Sequence, residues 1–291
     1  MGLRRAVLIA GPTASGKSAL ALRMAEERGG VVVNADALQV YGELRVITAR
    51  PDEADMARVP HHLYGFVPPA ERFSTGAYLR AAQDLIENLD PATELIFVGG
   101  TGLYFEALIN GVAQIPPVPR AVLEAVQQEI QALDGAGRLR LLQAEDPGTA
   151  SRLGVADPQR LVRAIAVKRA TGVPLSAHLA AQPPGPLSGC RLEKLVLEPP
   201  REAVRQRIAA RFATMFESGA VAEVERLLAL DLDPSLPAMK AIGVREIADW
   251  LAGGIDRDTA IARAVTATRQ YAKRQGTWLR NRMGDWRRLE T

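Results

Sequence analysis

Four short stretches of this 291-residue chain are continuously apolar or nearly so: Ala6 to Ala10, Val31 to Val33, Glu94 to Val98 and Lys194 to Leu197. Each is bounded by glycine or polar residues and lacks strict alternation, which predicts buried parallel strands covered on both faces. Between them the period changes. Ala19 to Glu27 and Gly76 to Asn88 read as helices, and β alternating with α in this way predicts a doubly wound parallel sheet. Ligand-binding groups then belong at the carboxyl ends of the strands.

Two proline clusters, IPPVP at 115–119 and PPGP at 183–186, interrupt that alternation. Between them the pattern is helical. Ala121 to Leu133 sets Val122, Val126, Ile130 and Leu133 on one face, and a second helix opens at Asp157-Pro158 and closes near Gly172. Stiff joints around a helical block suggest an insertion, giving a first core segment 1–114, a lobe 115–186 and a second core segment 187–291. Two plain linkers would produce the same composition. After the second cluster, helices are expected over 201–216 and 219–230, and from Ala260 to Met283.

Three strand ends carry chemistry. After the first comes Gly11, Pro12, Thr13, Ala14, Ser15, Gly16, Lys17 and Ser18, the pattern G-x-x-x-x-G-K-S between a strand and a helix. Its glycines let backbone N–H groups converge on an anion, the helix dipole adds positive potential, and Lys17 supplies a point charge. The Ser18 hydroxyl can reach a Mg²⁺ held by the same phosphates. After the second strand stands Asp36, a carboxylate suited to a metal, to proton transfer or to capping a helix. Thr101 lies in the glycine-rich VGGTGLY, where a ligand can approach the backbone or the chain can simply turn. Further on, Arg207 and Arg211 share one flank of a helix whose core side is Val204, Ile208 and Phe212. That pair suits a diphosphate or a salt-bridged surface. His61 and His62 are adjacent, so they point oppositely on an extended chain and make a poor metal site.

Composition narrows the classes. A 47% hydrophobic chain of this length can bury a full core, and a single cysteine, Cys190, excludes a disulfide framework and suits a reducing cytosol. No segment approaches membrane-spanning length. Nine Arg/Lys against three Asp/Glu fall within 257–291, so the rest of the chain is slightly acidic. Such asymmetry fits a polyanionic partner or a solvated basic helix. Arg160, Arg163, Lys168 and Arg169 make the lobe basic, and Tyr271 and Trp278 stand among the tail's cations as in RNA-binding stretches.

Taken in order, GPTASGKS, NADALQVY, TARP, PHHL, VGGTGLY, DPQRLVRAI with TGVPLS, RIAARFATMFESG, MKAIGVRE and TRQYAKRQGTWLRN resemble the tRNA dimethylallyltransferase (isopentenyl-tRNA transferase) family across nearly the whole chain. The resemblance implies a P-loop NTPase-like parallel sheet with an inserted helical lobe that grips a tRNA anticodon stem-loop. It implies that the phosphate loop, with Arg207 and Arg211, holds dimethylallyl diphosphate rather than ATP. The prenyl group would pass to N6 of adenosine 37 in tRNAs reading codons that begin with U. Asp36 would be the base, with Thr101, Lys17 and Arg211 also catalytic and Mg²⁺ as cofactor. The tRNA contacts carried over are Asp36, Ala37, Leu38 and Gln39; Gly102; Gln159, Arg160, Leu161, Val162 and Arg163; and Lys240, Ala241, Ile242, Gly243, Val244 and Arg245. A cytoplasmic monomer without membrane contact is implied too. A small-molecule P-loop kinase or an enzyme prenylating free adenine nucleotides would share the loop. Three positions depart from the family pattern: Ala37 for Ser, Ile47 for Gly and Gly65 for Asp.

Overall fold

The computed structural model describes residues 3–153 and 157–290. The first elements in chain order are β1 (Arg5–Ala10), α1 (Lys17–Arg28), β2 (Val31–Asn34), α2 (Glu53–Arg58), β3 (His61–His62), α3 (Thr75–Asn88), β4 (Leu95–Gly99) and α4 (Gly102–Asn110). Five helices follow: α5 (Arg120–Ala132), α6 (Gly135–Glu145), α7 (Pro147–Ala150), α8 (Pro158–Thr171) and α9 (Leu175–Ala180). The chain then runs through β5 (Arg191–Leu197), α10 (Arg201–Glu217), α11 (Ala220–Leu228), α12 (Val244–Leu251), α13 (Arg257–Arg282) and β6 (Arg287–Leu289).

The strands form one sheet in the order β3-β2-β4-β1-β5-β6, and every pairing is parallel. The order reverses around β1, so its carboxyl end is the switch point where a parallel sheet opens a crevice. Both faces are covered. Val7, Ile9, Ile96 and Val98 pack with α1 residues, while Leu8, Leu95 and Phe97 pack with Tyr78, Phe105, Leu279 and Trp286. At the opposite, amino end, Glu94 pairs with Arg5 and Arg28, and Arg28 also holds Glu193.

The chain divides into two compact units, Met1–Ile109 with Pro186–Thr291, and Asn110–Gly185. Within the second, Val126, Ile130, Leu142, Leu161 and Ile165 make an independent core. Asp157 caps α8 by accepting from the N–H groups of Gln159 and Arg160, and Gly172 closes it in the left-handed region. Asp146 accepts from the backbone and hydroxyl groups of both Thr149 and Ser176. Burial pushes its carboxyl up, but those four bonds prevail and hold it below the usual carboxylate range.

Candidate functional site

The loop from Gly11 to Gly16 leaves β1 and turns into α1 with Ala14 at φ 61° and Gly16 at φ 88°. Left-handed residues at such positions are what lets backbone N–H groups converge on an anion; in this loop the Thr13 and Ser15 N–H groups donate to Gln275 Oε1 and to the Pro12 carbonyl. Lys17 Nζ donates back to the Pro12 carbonyl at 3.2 Å. Burial lowers the Lys17 ammonium to about 8, with Asp36 opposing that shift and Arg211 adding to it. Arg211 likewise is lowered by burial and raised by Asp36. The three charges therefore lie within electrostatic reach of one another, and the space they border is the candidate chamber. Arg211 Nη2 donates to the Thr13 hydroxyl at 2.7 Å, whereas Arg207 is exposed, with Nη1 3.5 Å from the Ala14 carbonyl.

β2 stops at Asn34, two residues before Asp36, because Asn34 organises the turn that follows. Its amide donates to the carbonyls of Asp36 and Leu63, and its side-chain oxygen accepts from the Asp36 N–H at 2.8 Å. Asp36 Oδ1 then accepts from the Leu38 N–H at 3.0 Å. Among the described residues Oδ2 has no hydrogen-bond partner. One oxygen is thus fixed and the other left for a ligand.

Thr101 lies just before α4. Its N–H donates to the Ala35 carbonyl at 3.2 Å and its Oγ1 accepts from the Ala37 N–H at 2.9 Å. The strand-to-helix turn is real, and it also locks the β2 and β4 loops together. Next to it, a side chain on Gly102 would occupy the space of the Trp278 ring.

Four further side chains complete the chamber: Tyr271, which the sequence places among the RNA-binding aromatics of the tail, and Gln275, Tyr64 and Tyr104, to which the motifs assign no role. Gln275 accepts from Thr13 and donates to the Gly100 carbonyl at 3.0 Å. Tyr64, Tyr104 and Tyr271 are each raised well above the ordinary phenol range, first by burial and then by the negative charge of Asp36. They stand as neutral hydroxyl donors. Tyr104 also stacks on Tyr78, centroids 3.7 Å apart. Tyr271 and Trp278 therefore belong to the inner face of α13 rather than to an outer stacking stripe.

The remaining expected contacts divide by burial. Gln39 holds its own loop through the carbonyls of Thr48 and Ala49. Gln159, Arg160 and Arg163 are exposed on α8, and Lys240 and Arg245 are exposed around the start of α12, while Leu161, Ala241 and Val244 are buried. Arg169 is not an open cation, because Glu129 and Glu145 both take it. The three departures have local accounts. Ala37 acts through its N–H, which any residue provides. Ile47 is buried against Gly243. Gly65, at φ +59°, leaves its side-chain space to the Arg50 guanidinium, which donates to the carbonyls of Tyr41 and Gly42.

Among the described residues no three His, Cys, Asp or Glu cluster as a metal site, and no helix is long and apolar enough to cross a membrane. The Ser18 hydroxyl, exposed in the first turn of α1, is the oxygen donor beside the phosphate loop.

Residues 39–282 match the IPP transferase family, and residues 4–63 match the isopentenyl transferase family. A tRNA dimethylallyltransferase from Methylobacterium sp. (strain 4-46) is 52% identical over 287 residues, which span 98% of this chain and 94% of that one. Another from Chelativorans sp. (strain BNC1) is 51% identical, spanning 99% of each. Two solved structures share the fold. The full-length tRNA isopentenylpyrophosphate transferase from Bacillus halodurans has a TM-score of 0.69 at 28% identity, with 99% of this chain and 90% of that one covered. A eukaryotic dimethylallyltransferase acting on tRNA gives 0.83 at 26% identity, with 99% and 74% covered.

Proposed function

The chain belongs to the IPP transferase family, and on that premise we propose that it transfers the dimethylallyl group of dimethylallyl diphosphate to N6 of adenosine 37 in tRNAs reading codons that begin with U. The observation that carries this assignment is the free Oδ2 of Asp36 in the same chamber as Lys17 and Arg211. A proton acceptor beside a diphosphate cradle is what alkylation of an amine by an allylic diphosphate requires.

The exocyclic amine of adenine is a weak nucleophile because its lone pair is delocalised into the ring. As N6 bonds to C1 of the donor, the C1–O bond breaks and N6 becomes acidic. Asp36 Oδ2 takes that proton, and the fixed Oδ1 keeps the carboxylate aimed. The loop N–H groups, Lys17 and Arg211 stabilise the departing diphosphate at fixed positions. Thr101 orients the Asp36–Ala37 turn, and the tyrosine wall excludes water while supplying neutral donors. Reaching the chamber requires the base to leave its stack, a cost of a few kcal/mol offset by contacts inside.

The residues fit a divalent cation held chiefly by the donor's own phosphate oxygens, with Ser18 as protein ligand, and Mg²⁺ is the ion proposed. When bound, such an ion would neutralise charge on the leaving diphosphate. Gln159, Arg160 and Arg163 on the inserted unit are proposed to meet RNA phosphates, and Lys240 and Arg245 on the core are separately proposed to do the same. The enzyme is proposed to act as a cytoplasmic monomer.

The test is transfer of label from radiolabelled dimethylallyl diphosphate, with Mg²⁺, to two anticodon stem-loop RNAs carrying A or G at position 37. Label should enter the A37 RNA alone. Labelling of free AMP instead would make the enzyme a nucleotide prenyltransferase. ATP consumption without labelling would return the loop to a kinase.

A further inference from the structure

The basic motif of α13 is used on two faces. Tyr271, Gln275 and Trp278 look into the chamber, and the site described above leaves Arg269, Lys273 and Arg280 unexplained. Those three line a separate cavity of about 590 Å³ between α10 and α13, which shares only Pro12 with the phosphate loop. Arg201 and Arg205 lie on α10 at the same cavity; Arg205 pairs with Glu202 at 3.5 Å, and the one carboxylate in the lining, Glu198, lies 3.0 Å from Arg288. Among the described residues Arg201, Arg269 and Lys273 have neither an ion pair nor a hydrogen-bond partner for their charged groups. Unpaired cations around a concave site create a field that an anion would satisfy.

The floor is aliphatic: Val204, Ile208 and Ala272, with prolines at the edge and no aromatic ring in the lining. A purine would find no stacking surface there, whereas an alkyl or prenyl chain would lie well on it. The volume falls within the ordinary range for small-molecule sites. We infer that this cavity is a second anion site, for an isoprenoid diphosphate longer than the five-carbon donor, which binds while the phosphate loop is occupied. Its diphosphate meets Arg201, Arg269 and Lys273, and its chain covers Val204 and Ile208. An occupant would lie against Pro12, whose carbonyl receives Lys17, so the donor site would sense it.

The test is equilibrium dialysis of the full chain with radiolabelled geranyl diphosphate, with the phosphate loop saturated by unlabelled dimethylallyl thiodiphosphate. One equivalent of geranyl diphosphate should still bind. The double variant Arg201→Glu, Arg205→Glu reverses charge at exposed positions outside the chamber. It should weaken that binding at least ten-fold, with kcat/KM for prenyl transfer within about two-fold and an unchanged circular dichroism spectrum. Complete displacement of geranyl diphosphate by the thiodiphosphate would reduce the two sites to one and overturn the inference. Unchanged geranyl diphosphate binding in the double variant would overturn it too. So would a variant that loses affinity for the anticodon stem-loop RNA while geranyl diphosphate never binds, since the cations would then serve RNA.

Discussion

Gln275, in the last long helix, accepts a hydrogen bond from the backbone N–H of Thr13 at 2.9 Å, and so ties α13 to a loop 262 residues earlier. The same amide donates to Gly100 beside Thr101. One side chain therefore sets the spacing between the diphosphate cradle and the acceptor side of the chamber.

Replacing Gln275 by Leu strands the part-buried Thr13 N–H and the buried Gly100 carbonyl. Each such loss costs about 1–3 kcal/mol. With two such losses, about 2–6 kcal/mol together, the melting temperature should fall by at least about 4 °C, at about 2–4 °C per kcal/mol. The KM for dimethylallyl diphosphate should rise alongside it, as steady-state assays below the transition can show. An unchanged KM would mean the bridge only stabilises the fold.

Lys17 gives a pH dependence with a definite sign. Burial lowers it from 10.5 to about 8 in the free protein, so it is charged below pH 8 and neutral above. Affinity of the free enzyme for inorganic diphosphate should fall as pH rises through 8, and Lys17→Met should flatten that limb. Stability should respond in the opposite sense. Between about pH 8 and 10.5 the unfolded chain holds a proton that the native one lacks, so this group's contribution rises with pH. Calorimetric titration and urea unfolding across that window check both.

Arg211 and Arg207 should separate. Arg211 is half-buried on Thr13, and its Nε is buried without a partner among the described residues. Arg211→Gln should lower kcat about 10²–10³-fold, the usual effect of losing one preorganised donor. The exposed Arg207 should cost less than ten-fold when changed to Ala. Equal losses in single-turnover rates would show that both grip the leaving group.

Glu223 is a buried carboxylate accepting from the backbone N–H groups of Arg45, Val46 and Ile47. That arrangement fixes the loop whose next carbonyls, at Thr48 and Ala49, hold Gln39. Glu223→Ala should destabilise by about 3 kcal/mol or more, because three donors lose a charged acceptor. Glu223→Gln, which keeps one carbonyl acceptor, should recover part of that loss in urea unfolding. Complete equivalence of the two variants would remove the charge from the explanation.

Much of this was legible beforehand because burial on both faces writes a continuous apolar run: β1, β2, β4 and β5 each coincide with one. β3 and β6 were not, since His61–His62 and Arg287–Leu289 are short edge strands whose side chains are polar or basic. The helix α4 was hidden because its residues follow a glycine run that reads as a turn. Asp36, Thr101, Lys17 and Arg211 were visible through motif spacing. Gln275 was not, because an amide in a basic helix carries no chemical signature of its own. Its position four residues before Leu279, on the face of Thr268, was the available signal. Glu223 could have been found the same way, within the buried stripe Ala220, Val224 and Leu227.

The most direct measurement is single-turnover prenyl transfer by Asp36→Asn, with the affinities for dimethylallyl diphosphate and the A37 stem-loop RNA determined on the same preparation. Loss of the proton acceptor should slow transfer by about 10²–10⁴-fold, with both affinities within a few-fold of the parent. A variant that binds both substrates and transfers at the parental rate would contradict Asp36 as the base. So would one whose deficit lies wholly in RNA affinity.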